Sequence, residues 1–286
     1  MEPLPTNTYV FDSESPTEMA RLINQDRIVT QAMSGPLSGI ADPSSLRNIL
    51  DLGCGPGGWV LDVAFELPDA EVEGVDISRI MVDYANARAR TQQLPNASFG
   101  VMNITESLDF PDASFDLVNA RCIFAVLKRE IWPLFLNECR RVLRPGGLLR
   151  LTEPVDFGHT SSAAVNQFGA LLMQAIQRGG YGFSPDGSSF GITHLLPHWL
   201  EQQGYQKIRI QAHAMDFSLG TDAWADQYHN NEIFCYQMKP LLLKLELTTE
   251  EAFDRLGQQT LIDMQRETFF GMVHFLTALG QKPSAS

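Results

Sequence analysis

The 286-residue chain lacks several things, and each shortage removes a class of function. It has only four cysteines, Cys54, Cys122, Cys139 and Cys235, and no C-x-x-C pair, so there is no zinc signature. Four reduced thiols in a cytoplasmic chain are the expectation. No histidine–carboxylate set has ligand spacing, so no metal is expected. Positive charge is scarce. Lys+Arg number 21 against 34 Asp+Glu, and the net charge of −13 opposes nucleic acid or an anionic membrane as partner. No apolar run approaches the roughly 20 residues of a membrane span. Leu241-Leu242-Leu243 is broken at once by Lys244 and Glu246. The opening Met1-Glu2-Pro3 has no basic or long apolar stretch behind it, which predicts no secretory signal.

What is present suits an α/β chain of one or two domains, with 44% apolar residues. Ser15-Pro16-Thr17-Glu18 reads as a helix start, with Ser15 and Glu18 as a capping box. That helix should run to about Met33, with Met19, Leu22, Ile23 and Ile28 on its apolar face. From Arg47 the chain alternates apolar runs, turns and helical stretches. Strands are expected over 48–52, 71–76, 97–101, 115–120, 148–152 and 207–211, and a last one over 267–276. Helices are expected over 59–65, 78–91, 131–143, 163–178 and 196–203. This order predicts a parallel sheet with helices on both faces. Two segments, 154–193 and 218–266, exceed ordinary connections and should cover a pocket or build an interface. Thr249 is a natural cap for a helix in the second.

Gly53, Gly55 and Gly58 fit G-x-G-x-x-G, and Asp76 ends the next strand. Such a turn lets a ligand approach the backbone, and the acid can accept ribose hydroxyls. These residues alone admit a structural turn, a nicotinamide nucleotide or another adenosine cofactor. Further motifs stand in order: Asp51-Leu52 before the loop, 110–118 through Phe115-Asp116-Leu117-Val118, Arg144-Pro145-Gly146-Gly147 and Leu200-Glu201-Gln202-Gln203-Gly204-Tyr205. Over 47–211 the sequence resembles class I S-adenosylmethionine-dependent methyltransferases. The start Tyr9-Val10-Phe11-Asp12 and the stretch Glu18-Met19-Ala20-Arg21-Leu22 look like the leader of secondary-metabolite members.

The resemblance implies a Rossmann-like seven-stranded, mostly parallel sheet whose last strand is antiparallel. It implies S-adenosyl-L-methionine as cofactor. Asp76 with Ile77 would hold the ribose, and Asp51, Gly53, Cys54 and Gly55 would approach the methionine part. Asn103 stands where the family commonly has an acid for the adenine amino group. It can accept the same bond, with the Ile104 NH beside it, or it can serve its own turn. Tyr9, Asn119 and Arg121 complete the candidate cofactor set, and His159, Glu153 and His229 are the candidate bases.

The layout expected is a helical lid over 1–46, a core over 47–217 carrying the 154–193 insert, a helical cover over 218–266, and a last strand and tail over 267–286. Insert aromatics, among them Trp224, Tyr228, Phe234 and Tyr236, favour a small apolar or aromatic metabolite as methyl acceptor. The competing use of the same residues is a homo-oligomer interface. Two other activities stay open: non-methylating use of the cofactor, as in a cyclisation, and nicotinamide-dependent oxidoreduction. If Asp76 carries the ribose, Asp76→Ala should weaken cofactor binding by on the order of 1.5–3 kcal/mol. Calorimetry on the folded variant checks this, and unchanged affinity would remove the main support for the site.

Overall fold

A computed structural model describes Tyr9 and residues 13–284. Val10, Phe11 and Asp12 of the leader lie outside the described residues. Short apolar runs, the first ended by the glycine turn at 53–58, give β1 (Asn48–Leu52), β2 (Glu71–Asp76), β3 (Ala97–Val101), β4 (Phe115–Arg121) and β5 (Leu143–Pro154). They pair in parallel in the order β3-β2-β1-β4-β5. Next to β5 comes β8 (Gly271–Gln281), antiparallel to it, with β7 (Gln206–Asp216) antiparallel to β8 on the outer side. The two-residue β6 (His159–Thr160) continues the β5 edge along β8. Seven strands thus form the Rossmann-like sheet and β6 is an addition.

Between the strands run α2 (Gly58–Glu66), α3 (Arg79–Thr91), α4 (Trp132–Val142) and α6 (Leu196–Gln202). Helix α4 shows why they pack: Trp132, Phe135, Leu136, Cys139 and Val142 fall on one stripe and are buried. Ser78 caps α3 by accepting from the Met81 NH. Outside this frame lie α1 (Pro16–Ala32), α5 (Ala163–Arg178), α7 (Trp224–Gln237), the short α8 (Lys239–Lys244) and α9 (Glu250–Met264). Thr249 caps α9 as expected, and α5 has the bounds read from its pattern.

Three expectations need correction. Ser15 begins α1 but makes no side-chain cap, because Glu18 turns inward to Arg21 rather than back to the helix start. The buried face of α1 is consequently Glu18, Arg21, Ile28, Val29 and Thr30, while Met19, Leu22 and Ile23 are half-buried. Ile28, Val29 and Met33 join a core with Met215, Phe217, Val273 and Phe275, so the C-terminal part of this cover is integral to the fold. The last strand begins four residues later than read. Phe269 closes a turn on the Arg266 carbonyl, and Gly280, placed against Tyr205, extends the pairing to Gln281.

The loop after β1 is tight. Gly57 sits at φ 80°, and a Cβ there would lie 2.5 Å from the Phe99 ring. Gly57→Ala should cost roughly 1–3 kcal/mol of stability, read as a lower urea midpoint. An unchanged midpoint would mean that the loop yields freely.

Candidate active site

The carboxyl ends of β1, β2, β4 and β5 open into one cavity. In open α/β sheets this is where ligands bind. Its floor carries Asp51, Gly53, Cys54, Gly55, Asp76, Ile77, Asn103, Ile104 and Arg121, and Tyr9 reaches it from the roof. All ten are residues singled out by sequence.

Asp76 organises the loop. Its Oδ2 accepts from the Gly55 NH at 2.9 Å and its Oδ1 from the Ser78 NH at 2.9 Å. Gly55 holds φ 51°, which turns that NH toward the acid without a Cβ penalty. Burial raises the Asp76 carboxyl above its ordinary range, and the two NH groups oppose the rise. A carboxylate has about four acceptor positions, so it can still receive two hydroxyls.

Asp51 is 4% exposed, and burial pushes it up to about 7, opposed most by the Arg121 charge. Its Oδ1 accepts from Asn119 Nδ2 at 2.7 Å. Its Oδ2 has no hydrogen-bond partner among the described residues. A buried acid with an unfilled oxygen at the cavity floor fits a cationic group, and the Asp76 acceptors fit a diol. The residues present therefore suit an adenosyl amino acid.

Five sequence candidates fall elsewhere or act otherwise. Asn119 is fully buried behind Asp51 and does not line the cavity. Asn103 lines it, but its Oδ1 already accepts from the Thr105 NH and hydroxyl, so the turn reading describes its amide. Glu153 is buried and spends its oxygens on the NH groups of Ile123 and Phe124. Burial pushes it up to about 8 against those donors. It fixes the turn after β4 and does not reach the cavity. Neither histidine named as a base lines the cavity either. His159 is 77% exposed with Nδ1 3.3 Å from Asp156, and His229 is 55% exposed beside Glu232. Both lie on outward faces, His159 at the start of β6 and His229 on α7.

The residues that line the wall instead include Asp156, next to Phe157 after β5. Asp156 is 8% exposed and accepts from the Gly158 NH at 2.7 Å. The cavity's apolar end holds Phe124, Phe157, Phe190 and Phe234. Phe124 and Phe190 lie 4.0 Å apart, Phe157 and Phe190 5.1 Å, and Phe157 and Phe234 5.8 Å, centroid to centroid. Of the α7 aromatics, only Phe234 lines the cavity, whereas Tyr236 is exposed. Helix α1 contributes Arg21, Gln25 and Asp26. Arg21 pairs with Glu18 at 2.6 Å, contacts Tyr9 Oη and lies over the Phe234 ring. Arg121 pairs with Asp26 and donates to Thr30 Oγ1 at 3.0 Å, fastening α1 to β4. The i, i+4 spacing of Arg21 and Gln25 was the available signal for an inward polar stripe.

Residues 49–147 match a family described as a methyltransferase domain. The probable methyltransferase ltbC of Aspergillus luteorubrus is 33% identical over 114 residues, 38% of this chain and 40% of the relative. The trans-aconitate 2-methyltransferase of Deinococcus radiodurans is 32% identical over 152 residues, 52% of each chain. The chain therefore spans about half, or less, of the length of these curated relatives. Among solved structures, phosphoethanolamine N-methyltransferase 2 of Haemonchus contortus, with phosphomonomethylethanolamine and S-adenosylhomocysteine, has a TM-score of 0.59 at 17% identity. That match covers 99% of this chain and 62% of the other. The [4+2]-cyclase SpnF has a TM-score of 0.51 at 18% identity, covering 98% and 100%. These structural likenesses concern the fold. The matched residues run from β1 to the start of β5, so the stretch that is similar to a methyltransferase domain lies within the Rossmann-like sheet order.

Proposed function

We propose that the protein transfers a methyl group from S-adenosylmethionine to a small, largely apolar or aromatic acceptor. The observation that carries this reading is one cavity with two unlike ends. One end presents Asp51, Asp76 and the glycine loop, and the other is the cluster of Phe124, Phe157, Phe190 and Phe234. The cofactor supplies an already activated methyl on a sulfonium. The protein's task is then alignment, and orientation alone can lower the barrier by roughly 7–11 kcal/mol. Asp76 would hold the ribose, Asp51 the amino group, and the phenylalanines an apolar face of the acceptor.

The paired state of the cavity's arginines argues against a polyanionic acceptor. The Deinococcus relative is named for trans-aconitate, but here Arg21 is paired with Glu18 and Arg121 with Asp26. A tricarboxylate would have to displace two internal carboxylates. The chain's net charge of −13 likewise opposes a nucleic-acid substrate. Asp156 is the acid at the acceptor end and would take a proton from a weakly acidic acceptor.

Incubation of the protein with host extract and methyl-labelled S-adenosylmethionine should yield S-adenosylhomocysteine and a labelled small molecule. Cofactor binding without S-adenosylhomocysteine release would refute transfer and favour a non-methylating use. For a hydroxyl acceptor, Asp156→Asn should lower turnover by about 10²-fold with cofactor affinity unchanged. Equal turnover in the variant would remove Asp156 from the chemistry.

A further inference from the structure

Arg150 is fully buried in the middle of β5. A cation in the centre of a parallel sheet is costly and needs a partner. Its Nη1 donates to Asn119 Oδ1 at 2.9 Å, but its Nε and Nη2 have no hydrogen-bond partner among the described residues. The register explains its place. Asp51 is the Cα partner of Asn119, and Asn119 of Arg150, so the three form a row across β1, β4 and β5 with side chains on one face. Gly74, on the other side of Asp51, leaves room where a Cβ would meet Cys54 and Phe99 at 2.9 Å.

Resting on the cofactor reading above, we propose that Arg150 is a positioning residue for the cofactor's amino group. Its guanidinium can only donate, so it takes the Asn119 carbonyl. The Asn119 NH₂ must then face Asp51, which favours the anionic form of Asp51 at the cavity floor. Without Arg150 the amide can turn its oxygen to Asp51, and two acceptors in contact require a proton between them. A merely structural arginine would satisfy more of its own donors than one of three nitrogens.

Asp51 faces Arg121 from β4, Asp26 from α1, Cys54 from the loop and Arg150 behind Asn119. With the acid near 7 in the free protein, affinity for an ammonium-bearing ligand should rise as pH increases through that value. Removing a nearby cation moves an acid's midpoint upward.

The test is calorimetric binding of S-adenosylhomocysteine, which carries the same amino group, from about pH 5.5 to about pH 7.5. Wild-type affinity should rise across the range. Arg150→Met should move the rise upward by about one pH unit and weaken binding at neutrality about fivefold, with Tm equal or higher. Arg150→Lys should restore part of the loss. Asn119→Leu, which breaks the row with Arg150 in place, should shift the profile in the same direction. It carries the test if the Met variant does not fold. A folded Met variant with wild-type affinity and midpoint overturns the proposal. So does a loss that tracks a lower Tm and is not restored by Lys, and so does a flat wild-type profile. Absence of any binding by the wild type instead overturns the cofactor reading on which the proposal stands.

Discussion

A carboxyl taken from water into the centre of a parallel sheet costs several kcal/mol unless charges and donors meet it. Asp51 imposes that constraint here, and much of the site answers it. Asn119 donates to it from β4, Arg150 stands behind Asn119 on β5, and Arg121 lies toward the strand end. Thr152, two residues after Arg150, bonds Thr277, which His213 also meets. One face of the sheet's carboxyl half is therefore polar, while the opposite face carries Leu50, Leu52, Val118 and Ala120 into the main core. The polar face needs a polar cover, and α1 supplies it. Asp26 and Thr30 bind Arg121 on this floor, and Glu18 and Arg21 point inward farther along the helix.

The cover is held by two unlike means. Toward its C-terminus, α1 is fixed by Ile28 and Val29, with Met33 just beyond, in a core shared with β7, β8 and α9. Toward its N-terminus it is fixed by Tyr9, Glu18 and Arg21, whose bonds run 2.6–3.2 Å, with Glu18 and Arg21 buried and Tyr9 half-buried. Charge-assisted bonds in such a setting are stronger than exposed ones, and breaking one leaves a buried charge. The second roof helix, α7, meets this group through Phe234 beneath the Arg21 guanidinium. The exposed Arg27–Asp226 pair between α1 and α7 adds little by comparison.

How much of this is readable from sequence depends on whether a feature is local. The glycine loop, Asp76 and the bounds of α5 follow from short patterns whose cause lies within a few residues. Glu18 was misread because a capping box and an inward ion pair use the same residue at the same spacing. His159 and His229 were misread because position after a strand or in an insert does not state which way a ring points. Arg150 was missed although a signal existed. Asn119-Ala120-Arg121 and Arg150-Leu151-Thr152 alternate polar and apolar residues inside strands that a two-sided parallel sheet should make apolar throughout. A break in that rule in two neighbouring strands indicates that their polar positions meet.

The division of the cavity has a physical consequence for acceptor choice. At the floor much of the polar demand is already met by protein, Asp76 accepting two NH groups and Arg121 meeting Asp26 and Thr30. Among the described residues, Asp51 Oδ2 and the remaining acceptor positions of Asp76 stand open. Hydrogen-bonding capacity at this end is therefore matched to one kind of ligand, because a mismatch strands a buried acceptor. The phenylalanine end makes no such demand. Ring faces tolerate many apolar shapes, and a missing methylene there costs only about 1–3 kcal/mol. The same fold thus pairs a strict polar end with a permissive apolar one. On the proposed reading, selection among acceptors would come from the few polar groups at the apolar end. Asn230 and Gln227 on α7 line the cavity, and Asn230 Nδ2 donates to Gln227 Oε1 while its own Oδ1, buried at the wall, has no partner among the described residues.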